Sequence, residues 1–202
     1  MDVDNRQIYG IFGFIYKYFS VIGIISKKTI TTTSIIFKMT KTSRGRIELG
    51  AVTPHNIKQL KKLNSVVFPV SYNDKFYKDI LDVGELAKLA YYNDIVVGAV
   101  CCRIDKLDNA RRLYIMTLGC LARYRRYGIG TEMLKHVLKI CEDDGKFDSV
   151  YLHVQISNEG AIDFYQNFGF EIIETKQQYY KRIEPADAYV LQKTLTQNGN
   201  KK

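Results

Sequence analysis

The sequence is poor in the residues that hold metals and cross-link chains. Four cysteines, Cys101, Cys102, Cys120 and Cys141, and three histidines are spread through 202 residues, too few and too scattered for a zinc site. Cys101 and Cys102 are neighbours inside an apolar run, where successive strand residues face opposite ways. The thiols therefore read as buried groups of a reducing compartment, cytoplasm or nucleus, and not as a disulfide framework. No self-similar period or low-complexity tract is present, which argues against a repeat array. Nor is there an unbroken apolar stretch of membrane-spanning quality. Ile8 to Ile25 approaches the length of a span, but Lys17 and three glycines interrupt it and no cleavage-site pattern follows. A membrane span or signal peptide is not expected there.

What is present divides unevenly. Residues 1–43 form an extension with six Lys/Arg against two Asp. Met39 opens a hydrophilic segment, so it is expected to be the usual start, with 1–38 an alternative extension. Residues 44–195 carry the regular pattern of one domain, and 196–202 form a polar tail. Of the net charge of +9, four units belong to the extension. In the domain, Arg111, Arg112, Arg123, Arg125, Arg126 and Lys135 fall close together, opposed there by Glu132. Such a cluster wants a polyphosphate, a nucleic acid or an acidic partner, unless it is merely a solvated face.

Periodicity gives the element order. Arg46 to Gly50 reads as a strand, and Thr53-Pro54 as a cap and first-turn proline. Ile57, Leu60, Leu63 and Val67 recur at helical spacing. Phe68 to Tyr72 is an apolar loop, and Asp74 to Leu81 a second helix. Leu86 to Tyr92, the Asn93-Asp94 turn and Ile95 to Asp105 form a hairpin, followed by a strand over Arg112 to Leu121. Ile129, Met133, Leu134, Val137, Leu138 and Cys141 mark one face of a long helix. Val150 to Gln155, Asn158 to Asn167, Phe170 to Thr175 and Ala188 to Leu195 read as strand, helix, strand and strand. The predicted order is β-α-α-β-β-β-α-β-α-β-β, an α/β fold with a mixed sheet and helices on both faces.

Between the fourth strand and the long helix lies Arg125-Arg126-Tyr127-Gly128-Ile129-Gly130-Thr131. Glycines spaced by one residue let backbone amides approach a ligand, and the helix start aims unpaired N–H groups at it. A Walker loop is excluded because no Lys precedes Thr131, and a dinucleotide fingerprint because Met133 occupies the third glycine position. What remains, Arg-x-x-Gly-x-Gly, resembles the pyrophosphate loop of GNAT acetyltransferases. Residues 157–170 resemble a second GNAT signature, Asn-x-x-Ala-x-x-Phe-Tyr-x-x-x-Gly-Phe, with Asn158, Ala161, Phe164, Tyr165, Gly169 and Phe170 in register.

From about residue 46 to 193 the chain further resembles the catalytic subunits of N-terminal acetyltransferase E. The matching blocks are Val52 to Leu60, Phe68 to Tyr77, Leu113 to Leu121, Leu152 to Asn158 and Tyr179 to Asp187. Arg123 and Tyr127 depart from the family, which usually has Pro and Leu there. The resemblance implies transfer of acetyl from acetyl-CoA to protein α-amines, preferring a retained initiator Met followed by an apolar residue. It implies His153 and Tyr114 as a catalytic pair working through an ordered water. Acetyl-CoA would be held by Leu118, Cys120, Arg125, Arg126, Gly128, Ile129, Gly130, Thr131, Asn158 and Tyr165. The substrate would meet Phe68, Pro69, Val70, Tyr72, Met116, Tyr179, Tyr180 and Ile183. Without the family, His153 and Tyr114 would be packing residues, and Tyr179-Tyr180 surface aromatics.

Further expectations follow from the resemblance: nascent N-termini as substrates, the auxiliary and catalytic subunits of the ribosome-bound NatA complex as partners, and a role in sister chromatid cohesion. No metal and no direct nucleic-acid contact are expected. A lysine acetyltransferase on the same fold is the main alternative, but it needs a stronger base, commonly a cleft glutamate. A basic nucleic-acid module would interleave exposed aromatics with its cations. A non-catalytic scaffold would not need both Tyr114 and His153.

Overall fold

In the computed structural model, residues 45–107 and 110–196 are described. The extension, the Met39 start and all but Thr196 of the polar tail lie outside the described residues. Among the described residues seven strands and four helices follow in the expected order: β1 (Ile47–Ala51), α1 (Ile57–Val67), α2 (Asp74–Asp82), β2 (Ala87–Tyr92), β3 (Ile95–Leu107), β4 (Ala110–Cys120), α3 (Ile129–Asp144), β5 (Ser149–Gln155), α4 (Glu159–Gln166), β6 (Glu171–Lys176) and β7 (Ala188–Thr194). They build one sheet in the order β1-β2-β3-β4-β5-β7-β6. The first four strands are an antiparallel meander; β4 and β5 are parallel across the α3 crossover, and β7 inserts antiparallel between β5 and β6.

Both faces of the central strands are covered because their alternate residues are apolar in both directions, whereas the edge strand β6 is exposed throughout. On one face Leu60 and Leu63 of α1 and Tyr77 and Ile80 of α2 pack on Ala87, Leu89, Ala99 and Cys101. On the other, Met133, Leu134, Val137 and Cys141 of α3 join Tyr165 of α4 against Val97, Val100, Cys102, Leu113, Ile115 and Val150. Cys101 and Cys102 thus go to opposite cores, both as free thiols, with burial raising the Cys101 thiol to about 11.

Local chemistry accounts for most boundaries. Asn93 and Asp94 both take positive φ, 48° and 67°, in the two-residue turn between β2 and β3, as a primed hairpin turn demands. Asn73 caps α2 by accepting from Phe76 N–H at 2.9 Å, and Gly145 ends α3 in the left-handed region with its N–H on Cys141 O. The entry to α1 differs from the expected Thr53-Pro54 cap. The helix begins one turn later, behind Asn56. The Asn56 amide accepts from Thr53 N–H and donates to Ala51 O, so this side chain folds the strand-to-helix turn and Thr53-Pro54 lie within that turn.

The cationic cluster of the sequence also comes apart. Arg111 and Arg112 start β4, whereas Arg123, Arg125 and Arg126 follow its end, ~30 Å away at 3.3 Å per residue. Arg111 pairs with Asp144 and lies over the Phe147 ring, so it is structural.

One irregularity in β4 positions the site. Cys101 pairs with Thr117 and Cys102 with Ile115, leaving Met116 as an extra residue, a β-bulge. A bulge re-aims the side chains beyond it. Leu118 and Cys120 consequently rejoin Ile115 on the α3 face, while Met116 sides with Tyr72. Gly119 backs onto the α1 end, where an added Cβ would sit 2.7 Å from Val67 Cγ1 and 2.9 Å from Phe68 Cζ. Gly119→Ala should therefore lower unfolding free energy by about 1–3 kcal/mol, the usual cost of overpacking. An unchanged denaturation midpoint would mean that the α1 terminus yields freely.

Candidate active site

Strands β4 and β5 are in register only over Arg112–Ser149, Leu113–Val150 and Tyr114–Tyr151. Beyond that point each continues, β4 to Cys120 and β5 to Gln155, without ladder partners on the facing edges. Backbone groups left this way must find another partner. The parting strands therefore make a slot whose walls are polar backbone. Tyr114 sits at its apex, His153 follows two residues after Tyr151, and Leu118 and Cys120 lie on the β4 wall.

Tyr114 and His153 point to the α1/α2 face, opposite Leu113, Val150 and Leu152. His153 Nδ1 is 3.2 Å from Tyr114 Oη, and Tyr114 Oη is 3.2 Å from Tyr179 Oη. The Tyr179 ring lies flat on the imidazole, centroids 4.3 Å apart at 7°. Burial, then Lys176, hold the His153 pKa below its ordinary 6.5, with Glu174 opposing. The imidazole is therefore neutral at neutral pH and free to accept a proton. Burial, reinforced by the Tyr179 hydroxyl, pushes the Tyr114 phenol far above its usual range. It stays protonated and can act only as a hydrogen-bonding hydroxyl.

Beneath Tyr114 lies a network that sequence reasoning missed. Arg103 is registered opposite Tyr114, with its guanidinium 4.8 Å from the ring centroid. Asp105 accepts from Arg103 Nε at 2.9 Å and from Tyr151 Oη at 2.5 Å, and Tyr151 stacks on Tyr114. Arg103 and Asp105, two apart on β3, share a face with Tyr114. That period-two spacing was the available signal, hidden because charged residues late in a strand usually mean solvent.

On the same face opens a groove of about 860 Å³, lined by Phe68, Pro69, Val70 and Tyr72 on one side and Tyr179 and Tyr180 on the other. Phe68 meets Tyr72 edge-on and Tyr72 stacks on Phe76, which fixes the apolar wall. Burial raises the Tyr72 phenol strongly and that of Tyr180 to about 12, so both remain hydroxyls. Residues 177–187 are pinned by Tyr180 N–H on Ala186 O, Gln178 N–H on Asp187 and Gln155 Nε2 on Pro185 O. Of the eight expected substrate contacts, six line this groove. Met116 lies behind it in the α1/α2 core, and Ile183 sits half-buried in the adjoining loop. Lys61, Ser65, Ser71, Asp74, Tyr77, Lys181 and Arg182 complete the lining, and none was expected as a substrate contact.

The glycine loop lies past the end of β4, where the Arg125 charge partly offsets the burial that raises the Cys120 thiol. Gly128 takes φ 90° and Arg126 φ 68°. Alternating left-handed residues of this kind curl successive N–H groups toward one side. Glu132 N–H is the first to close onto a carbonyl one turn back, that of Gly128, so those of Ile129, Gly130 and Thr131 belong to the open helix start. The Ile129 side chain is buried in the core, which leaves its backbone as the functional part. A Cβ on Gly130 would meet Phe164 of α4 only at 3.5 Å. The fold thus tolerates a side chain there. Asn158 caps α4 through Ala161 N–H at 3.2 Å, and the Tyr165 ring is buried among Phe164 and Phe170. Among the described residues no cluster of three or more His, Cys, Asp or Glu could hold a metal, and no helix is long and apolar enough to cross a membrane.

Comparison with known proteins agrees with this geometry. The family described as Acetyltransferase (GNAT) family matches residues 57–170. The chain is 80% identical to N-alpha-acetyltransferase 50 of Danio rerio over 152 residues, 75% of this chain and 90% of that protein. It is 76% identical to the probable N-acetyltransferase san of Drosophila melanogaster over 153 residues, 76% of this chain and 83% of that one. Among solved structures, Arabidopsis thaliana Naa50 in complex with the bisubstrate analogue CoA-Ac-MVNAL superposes with a TM-score of 0.70 at 54% identity, covering 74% of this chain and 99% of its own. The chain thus belongs to the GNAT acetyltransferase family, as an N-terminal acetyltransferase that uses acetyl-CoA.

Proposed function

We propose that this enzyme acetylates the α-amine of proteins that keep their initiator Met before an apolar residue, with His153 and Tyr114 removing the amine proton through one shared water. The observation that carries this reading is the placement of the pair at the apex of the β4/β5 slot, where Tyr179 of the groove wall contacts both side chains. An α-amine has a pKa of ~8 and is largely protonated at pH 7. A neutral imidazole of low pKa is matched to that group, whereas a lysine at ~10.4 calls for a stronger base. The neighbouring carboxylates are committed elsewhere: Asp105 to Arg103 and Tyr151, Glu174 to Lys176. Lysine acetylation would accordingly be a weaker side activity.

Acetyl-CoA supplies the acetyl group as an activated thioester. The residues that would hold it are the helix-start amides from Gly128 to Thr131, the flanking Arg125 and Arg126, and the β4 wall at Leu118 and Cys120. Helix-start amides and arginines suit a pyrophosphate, and the unladdered wall suits the amide groups of a CoA arm. Phe68, Pro69 and Val70 suit a thioether side chain, and the hydroxyls of Tyr72, Tyr179 and Tyr180 can bond the first peptide groups. His153 takes the amine proton by way of the water, and the Tyr114 hydroxyl holds that water in place. The peptide portion of the analogue bound by Arabidopsis Naa50 begins Met-Val, which supports an apolar second residue. Association with the NatA subunits, action in cytoplasm and nucleus, and a part in chromatid cohesion are proposed from family resemblance.

Two experiments test this reading. Gly130→Asp should bind acetyl-CoA too weakly to detect by titration calorimetry while keeping its thermal midpoint, since the Cβ fits and a carboxylate at a helix start favours the fold. Normal binding would remove the loop from the cosubstrate site. His153→Ala and Tyr114→Phe should each lower turnover on a Met-Leu peptide by at least ~10²-fold without weakening acetyl-CoA, and the double variant should lose little more. In the wild type kcat/KM should fall with acid through the amine pKa, ~8, and fall more steeply below 6.5 as His153 protonates. His153→Ala should lose the second limb. Multiplicative losses in the double variant would contradict a shared water.

A further inference from the structure

The peptide groove continues past its aromatic section onto a cationic lip. Three cations line it, Lys61, Lys181 and Arg182, against one carboxylate, Asp74. Asp74 is already matched: Lys61 Nζ lies 2.7 Å from its Oδ1 and holds the carboxyl below its usual range. Lys61 is further engaged over the Tyr77 ring at 4.9 Å. Lys181 and Arg182 are exposed, and neither is in an ion pair among the described residues. Glu184 follows Arg182 by two residues on the same loop but does not line the groove, and Asp187 is taken by Gln178 N–H. The lining of the lip therefore presents two cations that no ion pair among the described residues engages to whatever leaves the groove.

We propose that Lys181 and Arg182 select substrates carrying acidic side chains at the third to fifth residues. This rests on the reading that the α-amine lies at His153 and Tyr114. The distances agree. Tyr179 stacks on His153, and Lys181 and Arg182 follow it by two and three residues, so their Cα atoms are at most ~7 and ~11 Å from that of Tyr179. An extended peptide advances ~3.3 Å per residue, which carries its third to fifth residues ~7–13 Å beyond the first. The loop is pinned at Tyr180, Pro185 and Asp187, so the two cations stay beside the exit. An acidic downstream segment gains attraction there and a basic one meets repulsion; the first two residues are still read by the apolar pocket. Because the same contact is present before and during reaction, the preference belongs in KM and not in kcat.

The test uses the full chain and three peptides that share Met-Leu and continue with three Glu, three Gly or three Lys. At low ionic strength the acidic tail should exceed the basic tail in kcat/KM by about three- to tenfold, the scale of two exposed charge contacts. The ratio should shrink at about 0.5 M salt, where screening shortens to a few ångströms. In the double variant Lys181→Glu, Arg182→Glu the order of the tails should invert. Equal kcat/KM for the three tails to within about twofold, or an order that the double variant leaves unmoved, would overturn the proposal while leaving the α-amine reading intact. Failure to acetylate any of the three would overturn that reading and the proposal with it.

Discussion

The loss of register between β4 and β5 after Tyr114 and Tyr151 is the constraint on which the site depends. Two parallel strands held by three residue pairs and then separated expose backbone edges that water or a ligand must satisfy. The α3 crossover joins these strands, so its N-terminus necessarily lies by the mouth of the slot. One topological event thus supplies an amide-lined wall, a helix start rich in donors and an apex where side chains of both strands meet. The Met116 bulge completes the arrangement. Without the extra residue, Leu118 and Cys120 would share the α1 face with Tyr114 and Met116.

The apex is held from below as well as from the sides. Arg103, Asp105 and Tyr151 lock the Tyr114 ring, and Tyr179 covers His153. Burial acts on the two partners in opposite senses. It disfavours the cationic imidazole and the anionic phenol alike, leaving a neutral base beside a neutral donor. In the proposed mechanism, proton transfer to His153 would then require no prior loss of a proton from the protein at neutral pH. In the proposed reading cations unpaired among the described residues flank the site, Arg125 and Arg126 at the glycine loop and Lys181 and Arg182 at the far lip of the groove, whereas the charges beneath the apex, Arg103 and Asp105, are paired with each other.

Much of this was legible in the sequence. The element order followed from periodicity, because long amphipathic helices and alternating strands carry their pattern locally. The glycine loop and the Asn158 to Phe170 signature were readable for the same reason. Asn158, however, serves visibly as a helix cap and Tyr165 as a core ring, roles that any motif reading merges with ligand contact. The α1 start was misplaced by one turn because an Asn side chain can fold a turn from its third position as well as cap a helix. The run of cations from Arg111 to Arg126 looked like one patch because sequence spacing ignores the length of an intervening strand. The bulge at Met116, the parting of β4 from β5 and the Arg103–Asp105–Tyr151 support are pairings between distant segments. No local pattern encodes them.

The relation between the slot and the α-amine is tested most directly by a crystal structure of this chain with a CoA–peptide bisubstrate analogue beginning Met-Leu. The nitrogen that stands for the α-amine should lie at the slot's apex, hydrogen-bonded to one water that also contacts the His153 imidazole and Tyr114 Oη, with the Met side chain against Phe68, Pro69 and Val70. A nitrogen placed instead against Glu174, or a peptide threaded outside the Tyr179–Tyr180 wall, would contradict it.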